Sequence, residues 1–169
     1  KPALRAGLRE RLGLGPEAGP VPAPGSVWLH AASVGESLAA LRLADELARR
    51  GHAVSMSTTT TTGRDLLRRT RPDLPVRLAP LDHPFAVGAA LARVSPRALV
   101  LVETELWPSW IAGARRRGIP VAIVSGRISD RSFPRYRALA TLLRPTLVRL
   151  AVVGVRAEED ARRFVALGV

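Results

Sequence analysis

The chain has 169 residues, 47% of them apolar, and a formal charge of +12 that is carried almost wholly by arginine. That length supports one domain of ordinary size with a sizeable core. The absence of cysteine excludes a disulfide framework, a thiolate metal site and a Cys nucleophile and fits a reducing compartment, while no apolar run approaches the roughly 20 residues of a membrane span. Three Trp, three Phe and one Tyr leave the core to be built from Ala, Val, Leu and Ile, a composition that suits parallel strands flanked by helices.

The opening KPALRAGLRERLGLG carries too many charges for a signal-peptide core. The following GLGPEAGPVPAPG cannot continue a helix, so residues 1–25 read as an amino-terminal segment and linker, and the folded domain is expected from Ser26 to Val169. From there apolar strands alternate with amphipathic helices. VWLHAA precedes a helix ending near Arg50, and HAVSMSTT precedes one starting near Gly63. VRLAPLD leads to FAVGAALARV, and ALVLVETE to a helix ending near Arg117. VAIVSG leads to one helix over residues 134–149, and LAVVGV to AEEDARRFVALG. Continuous apolar runs such as ALVLV imply strands covered on both faces, and short connections impose right-handed crossovers. The expected fold class is therefore α/β, a Rossmann-like parallel sheet flanked by helices.

In such a sheet ligands bind beyond the carboxyl ends of the strands. Those ends carry residues 30–36, 58–63, 80–83, 103–107 and 125–129, where small, polar and rigid residues gather. The chain has neither GxGxxG after the first strand nor a GxxxxGK loop, which disfavours dinucleotide and P-loop readings. Ser33 does not stand in a GxSxG elbow, and His30, His52 and His83 show no metal-ligand spacing, so no metal is expected. Pairs at helical spacing, Asp45 with Arg49, Glu46 with Arg50, Glu158 with Arg162 and Glu159 with Arg163, account for part of the arginine. Arg64, Arg68, Arg69 and Arg71, Arg115 to Arg117, and Arg127, Arg131, Arg135 and Arg137 stand apart with spare charge for an anion: nucleic acid, an anionic membrane surface or a phosphorylated ligand.

Several strand ends carry chemistry. In HAASVGE, Ala31 and Ala32 leave space, Gly35 permits close backbone approach, and Glu36 sits on the first helical turn, where a carboxylate complements the helix terminus. Glu103 and Glu105 are one residue apart and share a face if the strand continues; each either lines a cleft with purpose or pairs with an arginine. In STTTTTG the hydroxyls of Thr60 and Thr61, with Gly63, suit phosphate or sugar, or else Thr61 or Thr62 simply caps a helix. Arg127 and Arg131 flank the fifth strand's end, where bidentate phosphate contacts are feasible. Trp107 and Trp110 serve either the core or a sugar face.

WLHAASVGE, STTTTTG, APLDHP, VETELWPSWI, GIPVAIVSGRIS and EEDARRFVALG occur in the order seen in transferases of 3-deoxy-D-manno-octulosonic acid (Kdo), and the chain resembles that family from about Val27 to Val169. The resemblance implies the amino-terminal, acceptor-binding half of a two-domain GT-B glycosyltransferase, with a carboxy-terminal donor half absent from this chain. It implies an inverting, metal-independent transfer from CMP-Kdo to lipid A precursor in lipopolysaccharide synthesis at the cytoplasmic face of the bacterial inner membrane, and no cofactor beyond the donor substrate. Glu36 resembles the family's general base and Glu103 its second catalytic carboxylate. Ser33, Gly35, Thr60, Thr61, Gly63, Glu105 and Arg127 are the corresponding acceptor-binding candidates. Partners are then lipid A precursor, CMP-Kdo through the absent half and an anionic membrane surface. The alternatives are a basic nucleic-acid module, against which the sparse aromatics speak, and a GT-B envelope enzyme with another acceptor.

Overall fold

A computed structural model describes residues 7–14, 19–103 and 106–169. Residues 15–18 of the Pro/Gly-rich stretch, and Glu105 among the candidates, lie outside the described residues. Among those described, the strands are β1 (Val27–Ala31), β2 (Val54–Thr58), β3 (Val76–Leu78), β4 (Ala98–Val102), β5 (Val121–Gly126) and β6 (Val152–Val155). The helices are α1 (Leu8–Arg11), α2 (Val34–Arg49), α3 (Thr61–Thr70), α4 (Pro84–Val94), α5 (Pro108–Arg116), α6 (Phe133–Ala138), α7 (Ala140–Leu147) and α8 (Glu158–Ala166). The strands form one sheet in the order β3-β2-β1-β4-β5-β6, parallel throughout. This confirms the α/β, Rossmann-like expectation.

Side-chain alternation along β1 builds two apolar layers from one strand. Val27, Leu29 and Ala31 join Met56, Val76, Ala40, Ala44 and Leu67 on the α2–α3 side. Trp28 joins Leu99, Leu101, Val87, Leu91, Trp110 and Ile111 on the α4–α5 side. The change of side occurs because α4 carries the chain from β3, at one edge, back to β4 beside β1. That crossover makes the β1/β4 boundary the topological switch point.

Two local expectations are corrected. The single helix over residues 134–149 is two, divided at Leu139, whose φ of −100° and ψ of 9° leave helical geometry. The division lets Phe133 and Tyr136 on α6, and Leu143 and Leu147 on α7, all reach the same core. The helix after STTTTTG starts at Thr61, because the Thr60 hydroxyl accepts the Gly63 N–H at 3.0 Å and so caps it in place of Thr61 or Thr62.

The described part of the amino-terminal segment docks on the sheet. Arg11 is buried and donates to the carbonyls of Ala79, at 3.3 Å, and Thr59. Glu10 accepts the Leu78 N–H and an Arg64 N–H, both at 2.6 Å. Placed over the ends of β2 and β3, α1 ties together backbone that would otherwise leave carbonyls without donors.

Candidate functional site

The register of β1 on β4 pairs His30 with Leu101, so the loops after Ala31 and Val102 leave the sheet side by side at the switch point. This brings the Glu36 loop and Glu103 to the same end of adjacent strands, although the residues lie far apart in sequence.

Glu36 is held by a short closed circuit. Ser33 caps α2, its hydroxyl oxygen accepting the Glu36 N–H at 3.2 Å while its O–H donates to Glu36 Oε1 at 2.7 Å. The Ala32 N–H donates to Oε2 at 2.9 Å. The circuit is a variant of the capping box, in which a Glu three residues into a helix reaches back past its start. The Ala32 carbonyl is in turn fixed by the Thr59 N–H, at 3.3 Å, and the Thr58 hydroxyl, at 3.4 Å. Each carboxylate oxygen thus accepts one hydrogen bond and keeps lone-pair capacity for an incoming hydroxyl. Gly35 is exposed, and open space surrounds the place a Cβ would take. Ser33 therefore acts through Glu36, and Gly35 leaves room beside it.

Glu103 departs from the strand in a left-handed conformation, φ 64°, that non-glycine residues seldom adopt. Its N–H donates to the Val124 carbonyl at 2.8 Å, and its Oε1 accepts from Arg156 Nη2 at 2.6 Å. The arginine partner foreseen for a carboxylate here comes from the end of β6, two strands away, where nothing in the local sequence marks it.

The remaining candidates divide. Thr60 spends its acceptor on the α3 cap and keeps its O–H, exposed, while Thr61 is half-buried beside it. Gly63 is buried: a Cβ there would lie 2.9 Å from the hydroxyl oxygens of Thr58 and Thr60, so its role is close packing of α3 on β2. Arg127 is exposed at the end of β5, away from the β2 loop that carries the threonines. Of the arginines expected to be spare, Arg64 pairs with Glu10 and Asp65, Arg68 donates to the Val76 carbonyl, and Arg71 pairs with Asp45 and Asp73. Asp45 accordingly serves Arg71 rather than Arg49, which joins Arg50 on Glu46.

Beneath the site lies a polar thread that sequence reasoning missed. The Trp28 indole N–H donates to Ser57 Oγ at 2.9 Å, and His30 Nδ1 bonds the same oxygen at 3.0 Å. Trp110 packs on Trp28 and His30 with centroids 5.0 and 4.8 Å away, and Trp107 meets the His30 ring edge-on. Trp110 is thus a core residue, whereas Trp107, at the N-cap position of α5, is partly buried against the same core. Asp82 accepts the Ser109 N–H at 2.9 Å, satisfying the first turn of α5 from a distant loop. The alternation of HAA with SMST, which puts His30 and Ser57 on one face of paired strands, was the available signal.

Burial, opposed by the bond to Ser57, pushes the His30 imidazole down to about 4. Between pH 6.5 and 4 the unfolded chain binds a proton that the folded chain refuses. The stabilisation is therefore complete above about pH 6.5 and is lost as pH falls toward 4, by roughly 3 kcal/mol in all. Urea titrations from pH 7 to 4.5 should show this slope in the natural chain and a shallower one in His30→Asn; equal slopes refute it.

A parallel sheet of order 3-2-1-4-5-6 with carboxylate-bearing loops at its switch point defines a Rossmann-like domain of the kind that forms the amino-terminal half of GT-B glycosyltransferases. The family model described as 3-Deoxy-D-manno-octulosonic-acid transferase (kdotransferase) matches residues 6–169, and the chain belongs to that family. It is 38% identical over 155 residues to the 3-deoxy-D-manno-octulosonic acid transferase of Bordetella pertussis, covering 88% of this chain and 36% of that protein. It is 32% identical over 170 residues to the transferase of the same name from Haemophilus influenzae, covering 99% of this chain and 40% of that one. A bifunctional glycosyltransferase/methyltransferase of Fusobacterium nucleatum is 34% identical over 150 residues, 84% of this chain and 23% of that protein. The chain thus spans well under half the length of these curated relatives.

Proposed function

We propose that this chain is the acceptor-binding half of a Kdo transferase and supplies the general base. The observation that carries the reading is the Glu36 carboxylate, fixed by Ser33 and Ala32 at the switch point with acceptor capacity left on both oxygens. An acceptor hydroxyl bonds to the anomeric carbon of Kdo as its proton passes to Glu36. The bond from that carbon to the CMP phosphate oxygen breaks on the opposite face, so configuration inverts. Glu103, held by Arg156 at the end of the strand adjacent to β1, is proposed as the second carboxylate. No metal is assigned a part. Thr60, Thr61, Glu105 and Arg127 stay proposed acceptor contacts, with lipid A precursor as acceptor and CMP-Kdo bound by the carboxy-terminal half. The full-length protein should release CMP from CMP-Kdo only when lipid A precursor is present, while residues 1–169 alone bind acceptor without turnover. CMP release that ignores the acceptor refutes the reading.

A place at the cytoplasmic face of the inner membrane is part of the proposal, and the α6–α7 surface supports it. Arg135, Leu139, Leu142, Pro145 and Arg149 are all exposed along α6, α7 and the residues that follow, and no acid occurs between Arg131 and Ala151. Leu142 is 73% exposed. Cationic rims around apolar residues suit an anionic lipid surface. The chain should co-sediment with phosphatidylglycerol vesicles and not with phosphatidylcholine; equal sedimentation with both counts against it.

A further inference from the structure

Three adjacent strand ends, β4, β5 and β6, carry an arrangement of which the transfer reading uses only the Glu103 carboxylate and leaves the free donors of Arg156 and the Ser125 hydroxyl without a part. Val102 pairs with Val124 in register, so Glu103, just past the end of β4, and Ser125, next to the last residue of β5, lie side by side. Both are in the left-handed region, at φ 64° and 54°. The register between β5 and β6 slips by one residue between Ile123 and Gly126, a bulge that contains Ser125. Bulges beside sites re-aim side chains, and left-handed non-glycine residues persist where the surroundings enforce them. Next along, the Arg156 N–H reaches the Gly126 carbonyl at 3.3 Å, and its side chain crosses back over β5 to Glu103. One guanidinium nitrogen holds that carboxylate, and the side chain is 48% exposed against 33% for Glu103. A guanidinium presents five N–H donors in a planar fork, so the Glu103 bond leaves most of them directed elsewhere.

We propose that Glu103, Ser125 and Arg156 form a subsite for an acidic or phosphorylated sugar, in which Arg156 takes the oxyanion and the Glu103 carboxylate and Ser125 hydroxyl take an adjacent sugar hydroxyl. The pair with Glu103 fixes the fork while leaving the cleft locally neutral, so the site selects a ligand that brings both an anion and a donor hydroxyl. The sugar class rests on the transfer reading; the oxyanion contact does not. Phosphate on an acceptor sugar and carboxylate on an acidic sugar share this chemistry, and separate probes tell them apart.

The test is titration of the 15N-labelled chain with glucosamine 1-phosphate, with Kdo as the free acid and with N-acetylglucosamine. The Arg156 Nε–Hε signal and the Ser125 and Gly126 amides should shift with one or both anionic sugars and not with the neutral one, the tighter ligand identifying the source of the oxyanion. Arg156→Ala should weaken that binding at least about tenfold, with Arg156→Lys in between because a point charge lacks the fork. Glu103→Gln frees the cation of its counter-charge and should tighten anion binding about threefold, a change of sign that a merely structural ion pair does not produce. Absence of shifts at Arg156, or Glu103→Gln that binds as the natural chain does, overturns the subsite. If these shifts occur while the full-length protein fails to transfer Kdo, the subsite stands and the transfer reading falls; transfer with no response at Arg156 gives the reverse.

Discussion

Glu36→Gln in the full-length protein lowers the transfer rate by about two to four orders of magnitude while leaving acceptor affinity within about twofold, the span expected for loss of a positioned base. Gln keeps the length and one acceptor oxygen, so either the Ser33 hydroxyl or the Ala32 N–H retains its partner. What it cannot do is take a proton from the acceptor. The circuit around Glu36 is local, Ser33 to Glu36 and Ala32 to Glu36, so the substitution disturbs one helix cap and no part of the core. Steady-state rates with CMP-Kdo and lipid A precursor, beside direct acceptor binding, decide the matter. A rate within about threefold of the natural protein removes Glu36 from the base role. Ser33→Ala gives a smaller loss, because Ala32 still holds one oxygen.

Trp110→Ala should remove about 3–5 kcal/mol of unfolding free energy, the range for deleting a large buried aromatic. Trp110 is 1% exposed and stacks on both Trp28 and His30, so its loss opens a cavity beneath β1 and α5 together. In a domain stable by roughly 5–15 kcal/mol that is a large share. Urea midpoints measure it, with Leu142→Ala on the exposed face of α7 as a control expected within about 0.5 kcal/mol. A loss below about 1 kcal/mol at Trp110 would show that the site collapses without a cavity. Because His30 borrows its dry surroundings from this ring, the variant should also raise the pH at which His30 gains its proton and flatten the acid loss of stability.

Alternating apolar runs and punctuating glycines and prolines suffice to read the succession of strands and helices, because burial on both faces and crossover length act through local pattern. The Glu36 loop was legible for the same reason: Ser33 and Glu36 are three residues apart, and a helix start needs no other part of the chain to define it. Order across the sheet was not legible, since register between β1 and β4 depends on contacts over about seventy positions, and only that register sets Glu103 beside the Glu36 loop. Charges were misjudged where partners are remote. Arg64 and Arg71 look spare in the sequence, yet the distant Glu10 and Asp45 pair with them, and Arg11, in a stretch read as part of a linker segment, is buried at the ends of β2 and β3. Arg156 is the same case at the cleft, reaching Glu103 across an intervening strand. Short-range hydrogen bonds and side-chain periodicity are written along the chain, whereas pairing between charges and between strands is set by distances that exist only once the sheet has closed.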